Sequence, residues 1–148
     1  MADFSNLQSL HVKDGDTAEF VFYGIAGEPT LEVKPATAEN KPFFNRVLAK
    51  NKQLQRKRKG RAEQLPTATS ILEARKEDIE MFVELIIVGW SNVLDASGKA
   101  VKYSAENCRQ FLNAIPGDMF DELRTFCLDI SNYRDQMDAA ELEDLSGN

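Results

Sequence analysis

The spacing of apolar residues changes along this chain, and the change falls near Pro35. Upstream, Thr17-Ala18-Glu19-Phe20-Val21-Phe22-Tyr23 alternates, with Ala18, Phe20 and Phe22 on one face and the aromatic, β-branched content of a strand. Leu31-Glu32-Val33-Lys34 alternates likewise until Pro35 stops it, and Leu7 to Val12 offers a third strand. Downstream the repeat is helical. Two or three such short strands do not hold together alone, so the sheet must lean on the helices. The fold expected is α+β: a small N-terminal antiparallel sheet packed on a mostly helical C-terminal half.

Punctuation divides the helical part. Asn40-Lys41-Pro42 opens a helix, asparagine as the cap and proline in the tolerant first turn, with Phe43, Phe44, Val47 and Leu48 as its apolar stripe. Ser70 and Glu73 have capping-box spacing ahead of Leu72, Ile79, Phe82, Val83, Ile86 and Trp90, which reads as a core helix ending near Gly89. Asp95-Ala96-Ser97-Gly98-Lys99 has the composition of a tight turn. Ser104 then caps a helix striped by Cys108, Phe111, Leu112 and Ile115, and Pro116-Gly117 closes it. A last helix starts at Asp118, with Met119, Phe120, Leu123, Phe126, Cys127 and Ile130 inside. At 148 residues one domain is expected, over residues 1–134. The last 14 residues, with five acids and no base, read as an acidic flexible tail over 135–148.

Charge is segregated. From Lys41 to Arg61 there are nine bases and no acid, leaving 9 positive and 24 negative residues elsewhere, a balance of −15 within a net charge of −6. The densest part holds Lys50, Lys52, Arg56, Lys57, Arg58, Lys59 and Arg61, and its apolar stripe fades after Leu48. A mobile basic segment near residues 50–66 is therefore expected. Three readings stand for it: a phosphate-binding helix, a solvated linker, or an electrostatic contact with an acidic protein surface, including the chain's own tail or another copy. No aromatic lies between Lys50 and Arg61 to stack on a base, and the acidic remainder opposes phosphate, so nucleic acid is not an expected partner.

The catalytic inventory is thin. His11 is the single histidine and sits among strand-like residues, and Cys108 and Cys127 sit on apolar helix faces. Gly24 and Gly27 are not followed by a phosphate-loop Gly-Lys-Ser/Thr. Asp14 and Asp16 flank Gly15 without the later acid of a calcium loop. No enzyme activity, metal or cofactor is expected. Apolar runs such as Leu85-Ile86-Ile87-Val88-Gly89-Trp90 fall far short of the ~20 residues that span a bilayer. Met1-Ala2-Asp3-Phe4 carries an acid where a secretory signal carries a base, so the expectation is a cytosolic protein without a membrane role.

Two stretches carry a family resemblance. The first is Val88-Gly89-Trp90-Ser91-Asn92-Val93-Leu94-Asp95 followed by Gly98-Lys99-Ala100-Val101-Lys102-Tyr103-Ser104-Ala105-Glu106-Asn107. The second is Glu28-Pro29-Thr30-Leu31-Glu32-Val33-Lys34-Pro35-Ala36-Thr37 with Asn40-Lys41-Pro42-Phe43-Phe44-Asn45. In order and spacing these resemble tail assembly chaperones of long-tailed bacteriophages. The resemblance implies a host-cytoplasmic protein that holds the tape measure protein soluble, promotes assembly of the tail tube protein around it, and leaves the finished particle. It also leaves room for a homo-oligomer. An apolar groove lined by Phe82, Trp90, Phe111 and Phe120 is the expected partner site, and Trp90 is expected to be mainly buried. Two other functions remain open: a structural component of the phage tail, and a small nucleic-acid-binding regulator using the basic segment.

Overall fold

The computed structural model describes residues 7, 10–13, 15–58 and 67–136. Three strands, β1 (Ala18–Val21), β2 (Thr30–Val33) and β3 (Ile87–Ser91), form an antiparallel sheet in the order β1-β2-β3. Four helices follow the chain: α1 (Lys41–Arg58), α2 (Ala68–Leu85), α3 (Ala105–Ala114) and α4 (Gly117–Leu128). A fifth helical segment runs over residues 130–136. The architecture is α+β, with a mostly helical C-terminal half.

The third strand is not where the alternation of residues 7–12 suggests. Among the described residues of that stretch there is no strand; Leu7 and Leu10 are exposed and only Val12 is buried. The strand comes from mid-chain. The helix expected to reach Trp90 ends at Leu85, and Ile87 to Ser91 pair with β2, Leu31 facing Trp90 across the ladder. The β-branched run Ile86-Ile87-Val88 favours extended backbone, and a two-stranded sheet needs a third member to be stable. The N–H of Lys34 donates to the carbonyl of Ile86 at 2.8 Å, carrying the pairing to the helix end.

Three of the four named helices start at side-chain caps, α4 following Pro116 without one. The Oδ1 of Asn40 accepts from the N–H of Phe43 at 3.3 Å, while its Nδ2 donates to the carbonyl of Leu85 at 3.0 Å, tying the start of α1 to the end of α2. This satisfies the one buried polar side chain among the described core residues. At α2 the cap is Thr67 rather than Ser70. Thr67 Oγ1 accepts from the N–H of Ser70, and Ser70 Oγ accepts from the N–H of Thr67, so the serine serves as the third helical residue of the box. Ser104 caps α3 by accepting from the N–H of Asn107 at 3.0 Å.

α1 does not stop where its apolar stripe fades. It continues to Arg58, so the first part of the segment expected to be mobile is helical; Lys59 and Arg61 lie outside the described residues. Of the expected acidic tail, 135 and 136 belong to the fifth helical segment, and 137–148 lie outside the described residues. Asp129 separates this segment from α4, its Oδ1 accepting from both the N–H and the hydroxyl of Ser131.

The core lies between the inner sheet face and the helices. Leu31 and Val33 from β2 meet Ile86, Cys108, Leu112, Phe120, Leu123 and Cys127, all fully buried. Tyr133 is buried as well, and its hydroxyl donates to the carbonyl of Lys34 at 2.7 Å, which fastens the fifth helical segment to the end of β2. Burial holds the Cys108 and Cys127 thiols protonated, pushing each up to about 12.

Candidate partner-binding surface

The four aromatics expected to line one groove do not share one. Phe82 and Phe120 meet edge-on in the core at 5.3 Å between ring centroids, both buried. Trp90 and Phe111 meet elsewhere, edge-on at 5.7 Å. Trp90 is partly buried and packs against the core. Its indole N–H donates to the carbonyl of Val101 at 2.9 Å, and Tyr103 stands edge-on to it and donates its hydroxyl to the carbonyl of Ile87. The indole thus ties β3 to the chain entering α3. The turn between them is set by Asp95, whose Oδ1 accepts from the N–H of Ser97 and of Lys99, while Gly98 supplies the positive φ of 84°. The side-chain hydrogen bond from Ser97 holds the Asp95 carboxyl below its usual range. The stretch that carries the chaperone resemblance is therefore a packed strand–turn–helix unit.

An open apolar recess lies instead between α1, α2 and α4. It encloses about 380 Å³, and its walls include Phe43, Val47 and Leu54 of α1, Met81 and Phe82 of α2, and Leu128 of α4. Helical spacing puts Phe43, Val47 and Leu54 on one side of α1. Phe43 is buried, Val47 half-buried and Leu54 exposed, so the stripe runs from the core out to solvent. Phe43 and Phe82 close the inner end, ring centroids 6.3 Å apart.

Charge marks one rim. Asp78 stands between two cations, 2.9 Å from Arg124 and 3.8 Å from Lys50, and Lys50 also reaches Glu77 at 2.9 Å. Arg46 pairs with Glu84 at 2.6 Å. Other acids of α2 face other helices: Glu80 takes the guanidinium of Arg109 from α3, and that bond holds the Glu80 carboxyl low and the guanidinium high. α2 is thus an acidic spine served by cations of α1, α3 and α4. This gives the segregated charge a partial structural account, since Lys50 and Arg46 of the basic stretch meet acids of their own chain. Lys52 and Arg56 lie exposed on α1, and Lys57 and Arg58 complete the helix.

Asp78, Arg124 and Asn40 were not visible as site residues in the sequence. Asp78 and Arg124 meet across 46 residues and Asn40 reaches Leu85 across 45, beyond any local pattern. Among the described residues, no cluster of three His, Cys, Asp or Glu side chains is placed to hold a metal ion, and no helix is long and apolar enough to cross a membrane.

The sequence model of the YdaY prophage protein family matches residues 38–148. The chain belongs to this family. No curated protein and no solved structure matches it. The matched stretch of this prophage protein opens just before the Asn40 cap and takes in α1 to α4 and β3. The helical recess and its charged rim thus lie almost wholly inside the family region, while β1 and β2 lie before it.

Proposed function

We propose that this YdaY-family prophage protein is a tail assembly chaperone, a non-catalytic partner that keeps the tape measure protein soluble and promotes tail tube assembly in the host cytoplasm. The observation that carries the reading is the apolar recess between α1, α2 and α4, continued to the surface by Leu54. Its helical walls suit an amphipathic helix, whose apolar stripe would cover Val47, Met81 and Leu128. A long helical protein exposing such stripes aggregates unless a partner covers them. The Val88 to Asn107 pattern, which resembles tail assembly chaperones, supports the same reading, and membership of a prophage family agrees with it at a coarser level.

The charged rim would set register and encounter rate more than affinity. Nucleic acid is the weaker alternative, because Lys50 and Arg46 are engaged by acids of α2 and the surrounding chain is acidic. The test is co-expression with the long, helix-rich tape measure candidate of the same prophage, followed by pull-down at low and high salt. The partner should be soluble only in the presence of this chain, and the complex should survive added salt, as apolar burial does. A partner soluble by itself, or this chain present at stoichiometric amounts in mature virions, would replace the chaperone with a structural component of the tail.

A further inference from the structure

Among the described residues, β1 is an edge strand whose outer side is only partly covered. The N–H of Phe22 donates inward to the carbonyl of Pro29, so alternation turns the backbone groups of Glu19 and Val21 outward, away from β2. At Glu19 a side chain takes the place of a neighbouring strand. Gln136 accepts from the Glu19 N–H at 2.7 Å and donates to the Glu19 carbonyl at 3.0 Å, as one peptide group of a fourth strand would. One step along, the N–H and carbonyl of Val21 have no partner among the described residues. Beneath that open stretch lies a cleft of about 560 Å³ between β1 and α4, its apolar floor made by Phe20, Phe22, Met119 and Phe126. Its charged lining is all acidic: Glu19, Asp118 and Glu122. None of the three is in an ion pair among the described residues.

We infer that this edge accepts an extended peptide of alternating apolar and basic residues from another protein, which pairs with Val21 and drops its apolar side chains into the cleft. The main-chain bonds would supply a fourth strand, and the alternate side chains would be read by the floor and the acidic rim. A second copy of this chain is a poor occupant: it would bring Glu19, Asp118 and Glu122 of both copies together. The site lies on the face of α4 opposite Arg124 and Leu128, so it is separate from the helical recess and does not depend on the chaperone reading.

The test is NMR titration of the full chain with a short, end-blocked peptide alternating lysine and valine. The Val21 amide signal should shift and gain protection from exchange on binding. The same peptide with N-methylated valines, or one alternating glutamate and valine, should bind about tenfold more weakly or worse. Val21→Pro removes an outward N–H and should abolish binding, a change edge strands tolerate. Should that variant unfold, Glu19→Lys with Glu122→Lys, at two exposed positions, should weaken binding about tenfold while leaving the melting curve in place. Equal binding of the N-methylated peptide, no binding at all, or a Val21 amide already protected in the free chain would overturn the inference.

Discussion

Two recesses flank α4, and they differ in wall and in charge. On one face, Arg124 and Leu128 border a recess walled by helices, with Lys50, Asp78 and Arg124 compensating one another on its rim. On the other, Met119, Glu122 and Phe126 border a cleft whose far wall is a strand edge and whose lining charges are all negative. Wall type selects the shape of occupant, because a helical groove takes a helix and a strand edge takes a strand. Rim charge selects its sign. The near-balanced rim is compatible with a partner bound by apolar area, whereas the acidic rim demands cations. Size alone would not have separated them.

The largest effect should come from the buried core of α4, on which both faces rest. Phe120 sits on α4 between the two faces, buried against Phe82. Phe120→Ala should lower stability by ~3–5 kcal/mol, read by chemical denaturation, and should disturb both faces together. Trp90→Ala should cost less, about 2 kcal/mol, because the ring is only partly buried; part of that cost is the Val101 carbonyl left without its donor. Since Trp90 lies outside the helical recess, that variant should keep any helical partner it can still fold to bind. A variant that melted like the parent would mean that the β3–α3 unit is not tied by the indole.

pH offers a smaller lever on the helices behind the two faces. Cys108 and Cys127 are pushed up to about 12 by burial, above the ordinary thiol value of ~8.5 in the unfolded chain. Between those values the unfolded state binds fewer protons than the folded one, so stability should fall as pH rises. The two thiols together predict a loss of about 1 kcal/mol between pH 8 and pH 9. A thiol reagent at pH 8 should leave both residues unmodified in the folded chain. Rapid labelling without unfolding would contradict their burial.

The smallest expected effect is on the charged rim of the helical recess. Asp78→Asn removes the acid shared by Lys50 and Arg124 on the helical rim, at a site partly open to solvent. Stability should change by ~0–1 kcal/mol, more at low salt than at high. The strand-edge cleft should not respond, which a peptide titration on that variant would show. A response there would mean that the two faces are coupled through α4.

Legibility in the sequence followed range. The Ser104 cap, the Asp95 to Lys99 turn and the Asn40 start are decided by residues within four positions of each other, and all three could be read locally. Trp90 could not. Its spacing from Phe82 and Ile86 continues a helical stripe, yet it lies in β3, because the open edge of β2 is a partner that no local window contains. The helical recess was half visible: Phe43, Val47 and Phe82 stand out as apolar stripe residues, while Leu54 sits within a run of charge that reads as linker. The strand-edge cleft was invisible, since Gln136 and Glu19 are 117 residues apart. Chemistry that depends on such pairs is written in the fold and not in any motif.

On the proposed reading, the helical recess covers an apolar helix of the tape measure protein. Leu54 is the residue on which to test it, being 41% exposed at the open end of the recess and distant from the core. Leu54→Glu should leave the melting curve within about 0.5 kcal/mol of the parent, as exposed substitutions do. The decisive measurement is the amount of soluble tape measure protein recovered on co-expression with the parent chain and with Leu54→Glu. Recovery is predicted to be high with the parent and to collapse with the folded variant. Equal recovery with both, from a partner that is insoluble alone, would show that the recess is not the surface that holds it.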